Sequence, residues 1–148
     1  MAISNQEKIV TLWSVFLFGI IFHTQLGLMP LFYGESVAMS GTSGVANVSH
    51  LWLMLGFFVL PAIAIVATTF TNSKRYRTIH FGLTIFYSVI NFLHVVLDLL
   101  VKPIAWYQIA LTIILFTVGI LLNVVAFQWM QEHFNYKKLR KQLPSYSP

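Results

Sequence analysis

Long apolar runs alternate with short polar breaks along this chain. Four runs, from about Ile9 to Phe32, Ser49 to Phe70, Thr78 to Val101 and Ile104 to Met130, each approach or exceed the roughly 20 residues that a helix needs to cross a bilayer. The breaks are of three kinds. Residues 33–48 are rich in glycine, serine and threonine and contain no Lys or Arg, so they predict an outer loop. The stretch 71–77 is a short basic turn, and Lys102-Pro103 is a tight one. The pattern predicts an all-α integral membrane protein, an up-down four-helix bundle in which sequential spans are neighbours.

Smaller signals refine the spans. Ser4 followed by Glu7 has the form of a capping box ahead of the first helix. Pro30 falls in the last turn of the first span, and Pro61 falls in the middle of the second. There a proline leaves one carbonyl without its helical partner and predicts a kink. Residues 137–148 are basic and then proline-punctuated, which predicts a flexible tail. The first apolar run is too long for the core of a signal peptide and is expected to be a retained span.

The third span is not uniformly apolar. His80, Thr84, Tyr87, Asn91, His94 and Asp98 recur at steps of four, three, four, three and four, which puts them on one helical stripe. Polar groups are costly in lipid, so this stripe is expected to face other helices or a cavity. The fourth span has its own seam, Thr112, Gly119 and Asn123, also expected to face inward.

Composition supports the membrane reading. Of 148 residues 57% are hydrophobic and only 9% charged, against about 25% charged in soluble domains. Mean hydropathy is +0.77. The net charge of +5 gathers at span ends, so it signals topology and not nucleic-acid binding. With four spans, Lys8, Lys74, Arg75, Arg77, Lys137, Lys138, Arg140 and Lys141 fall on one side, and only Lys102 on the other. Both termini are therefore expected in the cytoplasm, with the protein in an inner or plasma membrane. Trp13, Trp52, Trp106, Tyr107 and Trp129 lie near span ends and are expected in the interfacial aromatic belt. The absence of cysteine excludes disulfides, thiolate metal ligands and iron–sulfur clusters. There is no phosphate-binding glycine loop, and the few acids (Glu7, Glu35, Asp98, Glu132) are not placed for paired acid–base work.

Depth selects which candidate residues can meet. At 1.5 Å per residue from the cytoplasmic ends, His23 lies about 22 Å up its span and His94 about 25 Å, while His50 and Asp98 lie about 31 Å up. His23 and His94 thus share a layer on spans that an up-down bundle sets on a diagonal. Two readings follow. In the first, both histidines ligate haem iron from opposite faces, and Gly19 and Gly27, one turn to either side of His23, clear space for the macrocycle. Helix packing explains the same glycines equally well. In layout, and through His23 and His94 alone, the chain resembles four-helix membrane cytochromes b, which implies haem b and electron transfer. The 14 residues from His80 to His94 match the spacing of di-haem members. No histidine stands near Val10 to complete a second haem, and His133 would have to substitute.

In the second reading His23, His50, His94 and Asp98 bind a bare ion, Cu, Fe or Zn, with Met54 as a further donor for copper. Asn91 and Tyr87 would then support the ligands. His80 and His133 are expected near the cytoplasmic interface, and Glu35 is expected to be a solvated loop residue. The functional expectation is a small membrane metalloprotein or b-type cytochrome with a redox role. The alternatives are a non-catalytic subunit or assembly factor of a larger membrane complex, and an ion or metal carrier. The expected partners are the lipid bilayer, further copies of the chain or a larger membrane complex.

Overall fold

The computed structural model describes residues 3–37, 47–101 and 104–142, with side chains to residue 132. It is helical throughout. Helix α1 spans Asn5–Leu28, followed by a 3-10 turn over Met29–Tyr33; α2 spans Val48–Phe70, α3 Lys74–Leu100 and α4 Trp106–Gln142. All four helices are long and apolar enough to cross a membrane. Their outer faces carry large exposed apolar side chains, Phe18, Phe22, Leu53, Phe70 and Leu97 among them, as lipid-facing surfaces do.

The helix starts follow local chemistry. The Ser4–Glu7 capping box is complete: Glu7 N–H donates to Ser4 Oγ, and Ser4 N–H donates to Glu7 Oε2 at 2.8 Å. Asn47 caps α2 by accepting from Ser49 N–H, and Ser73 caps α3 by accepting from Tyr76 N–H. This last cap starts α3 a turn earlier than the hydrophobic pattern implied. Lys74, Arg75 and Arg77 are therefore helical and do not form a turn. At the other end α4 runs on to Gln142, taking in half of the expected tail. Residues 131–142 lack glycine and proline and are rich in Lys, Arg, Gln and Leu, which favour helix. Residues 143–148 and Lys102-Pro103 lie outside the described residues.

The main packings are α3 on α4, α1 on α4, and α1 on α2. Named contacts give the register. Along α1 and α4, Asn5 meets Glu132, Gly19 meets Leu115 and Gly27 meets Gln108. Along α3 and α4, Arg77 meets Trp129, Ser88 meets Asn123 and Asp98 meets Thr112. Side chains of α1 and α3 touch at Trp13–His80, Phe16–Tyr87 and His23–His94. The buried core is Ile9, Trp13, Phe16, Ala64, Tyr87, Leu115, Leu122, Ala126 and Trp129. Trp13 and Trp129 are thus turned inward. Each finds polar or aromatic partners across the helix interface, which overrides the belt expected of them; Trp52 and Trp106 are exposed.

Pro61 sits inside α2. Its missing N–H leaves the carbonyl of Phe57, four residues back, without the usual partner. The Tyr87 hydroxyl of α3 donates to that oxygen at 2.8 Å. A proline defect in one helix is thereby repaired by a polar residue of another. The expected outcome for Tyr87→Phe is a loss of roughly 0.5–2 kcal/mol of stability, the range for a hydrogen bond between membrane helices. In a Pro61→Ala background Phe57 O regains its helical partner, and Tyr87→Phe should cost much less. Thermal unfolding of the four variants in detergent measures that coupling, and equal costs in both backgrounds would contradict it.

Candidate metal centre

The α3 stripe is held inward along most of its length, but its two ends differ. Toward the chain termini His80 is 1% exposed and fully partnered. Trp13 Nε1–H donates to its Nε2 at 3.3 Å, and Tyr76 Oη and Thr68 Oγ1 lie 3.3 and 3.5 Å from its Nδ1. Trp129 packs edge-on at 5.8 Å. Beside it the buried Arg77 stacks 4.7 Å over Trp129, donates to Asn72 Oδ1 and Trp129 O, and pairs with Glu132 at 3.4 Å. The contact with water expected of His80 is therefore corrected: it is buried among neighbouring helices. The tryptophan and tyrosine carry their own polar atoms inward, so the imidazole is satisfied without water. Matching depths of Trp13 and His80 along their helices were the signal for this pairing. His133 lies beyond the described side chains.

At the opposite end the stripe meets α1. His23 Nε2 and His94 Nε2 are 3.3 Å apart, with the rings edge to face at 75° and centroids 5.2 Å apart. Asp98, one turn on from His94, brings Oδ1 to 3.7 Å from His94 Nε2. The three residues can each offer one ligand atom within 4.8 Å of the others. Thr112 of α4 stands against the carboxylate, with its one hydroxyl hydrogen shared between two acceptors. Its hydroxyl stands 3.1 Å from Asp98 Oδ2 and 2.8 Å from its own helix carbonyl, Gln108 O. Read from sequence, Thr112 belonged only to a packing seam; its four-residue offset from Gln108 gave no hint of the carboxylate. His50 stays out of the cluster, exposed at the start of α2, and lines the adjoining cavity together with Met54. Glu35 is exposed beyond the 3-10 turn.

Comparison with protein-family models, with curated proteins and with solved structures finds no match. The geometry is thus the sole guide to what this cluster does.

The glycines around His23 are accounted for by packing contacts. A Cβ on Gly19 would run into the Leu115 side chain of α4, and one on Gly27 would sit 3.4 Å from Gln108 Nε2. Gly119 lets α4 approach Ser88 in the same way, at 3.1 Å. Around Gly56 nothing lies within 4 Å. Gly19→Val is therefore expected to lower the unfolding temperature by several degrees, from an overpacking cost of about 1–3 kcal/mol. Gly56→Val should stay close to wild type. Differential scanning fluorimetry in detergent compares them, and equal midpoints would show that α1 and α4 do not meet at Gly19.

Proposed function

We propose that this chain is a small integral membrane metalloprotein that holds a first-row transition ion through His23, His94 and Asp98 for a redox role. The observation that carries this is the convergence of two imidazoles and one carboxylate from two helices. Such a set, with coordination positions left open, suits non-haem iron, and the same donors accept Cu(II); zinc fits them too but would leave only the metal-binding part of the reading. Charged and polar side chains gathered at one point in an apolar protein stand there at a cost, which favours a ligand over mere packing.

The spacing favours a bare ion over haem. Metal–imidazole bonds of about 2.0–2.1 Å set two ligand nitrogens about 3.3 Å apart at a tetrahedral angle, but about 4 Å apart across a linear arrangement. The observed 3.3 Å fits ligands side by side on one ion. The filled sides of Gly19 and Gly27 point the same way. Thr112 supplies the outer hydrogen bond that such sites use to orient a carboxylate.

The arrangement in the bilayer belongs to the same reading. The contact register along α1, α3 and α4 supports an up-down bundle. The clustering of Lys and Arg at the end that holds Ser4, Ser73 and α4's last turns supports cytoplasmic termini. The metal centre then lies toward the outer leaflet.

Elemental analysis of the purified protein is the direct test, with a stoichiometric first-row ion expected and no Soret band. His94→Ala should lose the ion, while His133→Ala, at the far end of α4, should keep it. Acidification should weaken binding, because protons compete with the ion for the imidazole nitrogens. A metal-free preparation that takes up no iron, copper or zinc, or a strong Soret band, would overturn the assignment.

A further inference from the structure

The cavity beside the metal centre, about 360 Å³ between α1, α2 and α3, is lined by more metal-binding side chains than the centre uses. Four of its lining residues offer a nitrogen or sulfur donor. His23 and His94 belong to the centre, whereas His50 and Met54 of α2 do not. His50 and Met54 are four residues apart on one helix. That spacing puts them on one face with Cβ atoms about 5–6 Å apart, the arrangement by which pairs of helical residues chelate an ion. Both are exposed, Met54 at 44%, so both side chains are open to an incoming ion.

The two ends of the bundle differ in charge. The flanks at the His50 end carry Glu35, Asp98 and, along the sequence, Lys102, two acids against one cation, a net of −1. The opposite flanks carry eight Lys and Arg against Glu7 and Glu132, a net of +6. The summed field therefore favours the approach of a cation from the His50 side. The two donor sets also differ in softness. Two imidazoles and a carboxylate suit iron or Cu(II), whereas a thioether selects Cu(I). With no cysteine in the chain, methionine thioethers are its soft donors. We infer that His50 and Met54 form a binding site for monovalent copper at the rim of the cavity, separate from the metal centre. The site deepens the metal reading by naming copper as the ion that enters the cavity. Binding at His50 and Met54 does not itself depend on that reading.

The test titrates full-length protein in nanodiscs with Cu(I) under ascorbate and without oxygen, in competition with the chromogenic chelator bicinchoninate. X-ray absorption at the copper edge then reads the neighbours of the bound ion. Saturable binding with a sulfur neighbour is expected. Met54→Leu, which keeps the volume, should weaken this binding about tenfold or more and remove the sulfur neighbour. Met29→Leu, at an exposed methionine of the same end, should leave both unchanged. His50→Ala should weaken binding as Met54→Leu does. No sulfur neighbour in the wild type, a sulfur neighbour kept in Met54→Leu, unchanged affinity in His50→Ala, or an equal loss in Met29→Leu would overturn the inference. His94→Ala separates the two sites. It should lose the ion of the metal centre and keep the sulfur-bound Cu(I), and loss of both would overturn the separate site. A sulfur-bound Cu(I) that depends on Met54, in a protein whose His23, His94 and Asp98 take up no ion, would sink the metal centre alone.

Discussion

Hydrocarbon offers no hydrogen bonds, so every polar group that enters it must find a partner inside the protein. The polar stripe of α3 is where this chain meets that demand. Tyr87 takes up the carbonyl that Pro61 leaves free in α2. His80 accepts from Trp13 of α1, Ser88 accepts from Asn123 of α4, and Asp98 accepts from Thr112 of α4. Each bond also fixes which helix lies next to α3 and at what height. Lipid is as apolar as the helix surfaces, so burial of apolar area gives little preference for one helix arrangement over another. Hydrogen bonds and close contacts such as Gly19 on Leu115 carry the specificity instead.

The same demand distinguishes the two histidine-bearing ends of the stripe. His80 sits within an aromatic cage with partners on both ring nitrogens, and the neighbouring Arg77 is tied to three groups. That end joins α1, α2, α3 and α4 through polar groups that satisfy one another. At the other end His23 and His94 face each other across 3.3 Å, His94 keeps 47% of its side chain exposed, and two buried nitrogens lack partners. The polar groups at this end are thus less fully satisfied than those around His80. Under the metal reading proposed above, a bound ion accounts for the convergence of ligands.

Much of this was legible along the chain. The spans follow from run lengths, the capping box from Ser4 and Glu7, the freed carbonyl from Pro61. The inward stripe follows from steps of three and four. The shared layer of His23 and His94 follows from counting rise per residue, since depth along a straight helix is a local property. Errors arose where a side chain's direction around its helix mattered. Trp13 and Trp129 sit near span ends, as interfacial residues do, but they point into the core. His50 has the right chemistry for the ligand set and stands at the cavity rim, outside the cluster.

Sequence by itself therefore determined the number of apolar helices, their approximate limits, and the height of each polar group. Local spacing and hydropathy encode those features residue by residue. Only the tertiary structure decided that Asp98 turns to His94 with Thr112 behind it, that Leu115 fills the space at Gly19, and that Asn91 Nδ2 is buried without a hydrogen-bond partner. Those outcomes depend on the rotation and closeness of helices distant in the chain. Rotation and closeness are set jointly by all the cross-helix contacts, so no single stretch of residues contains them.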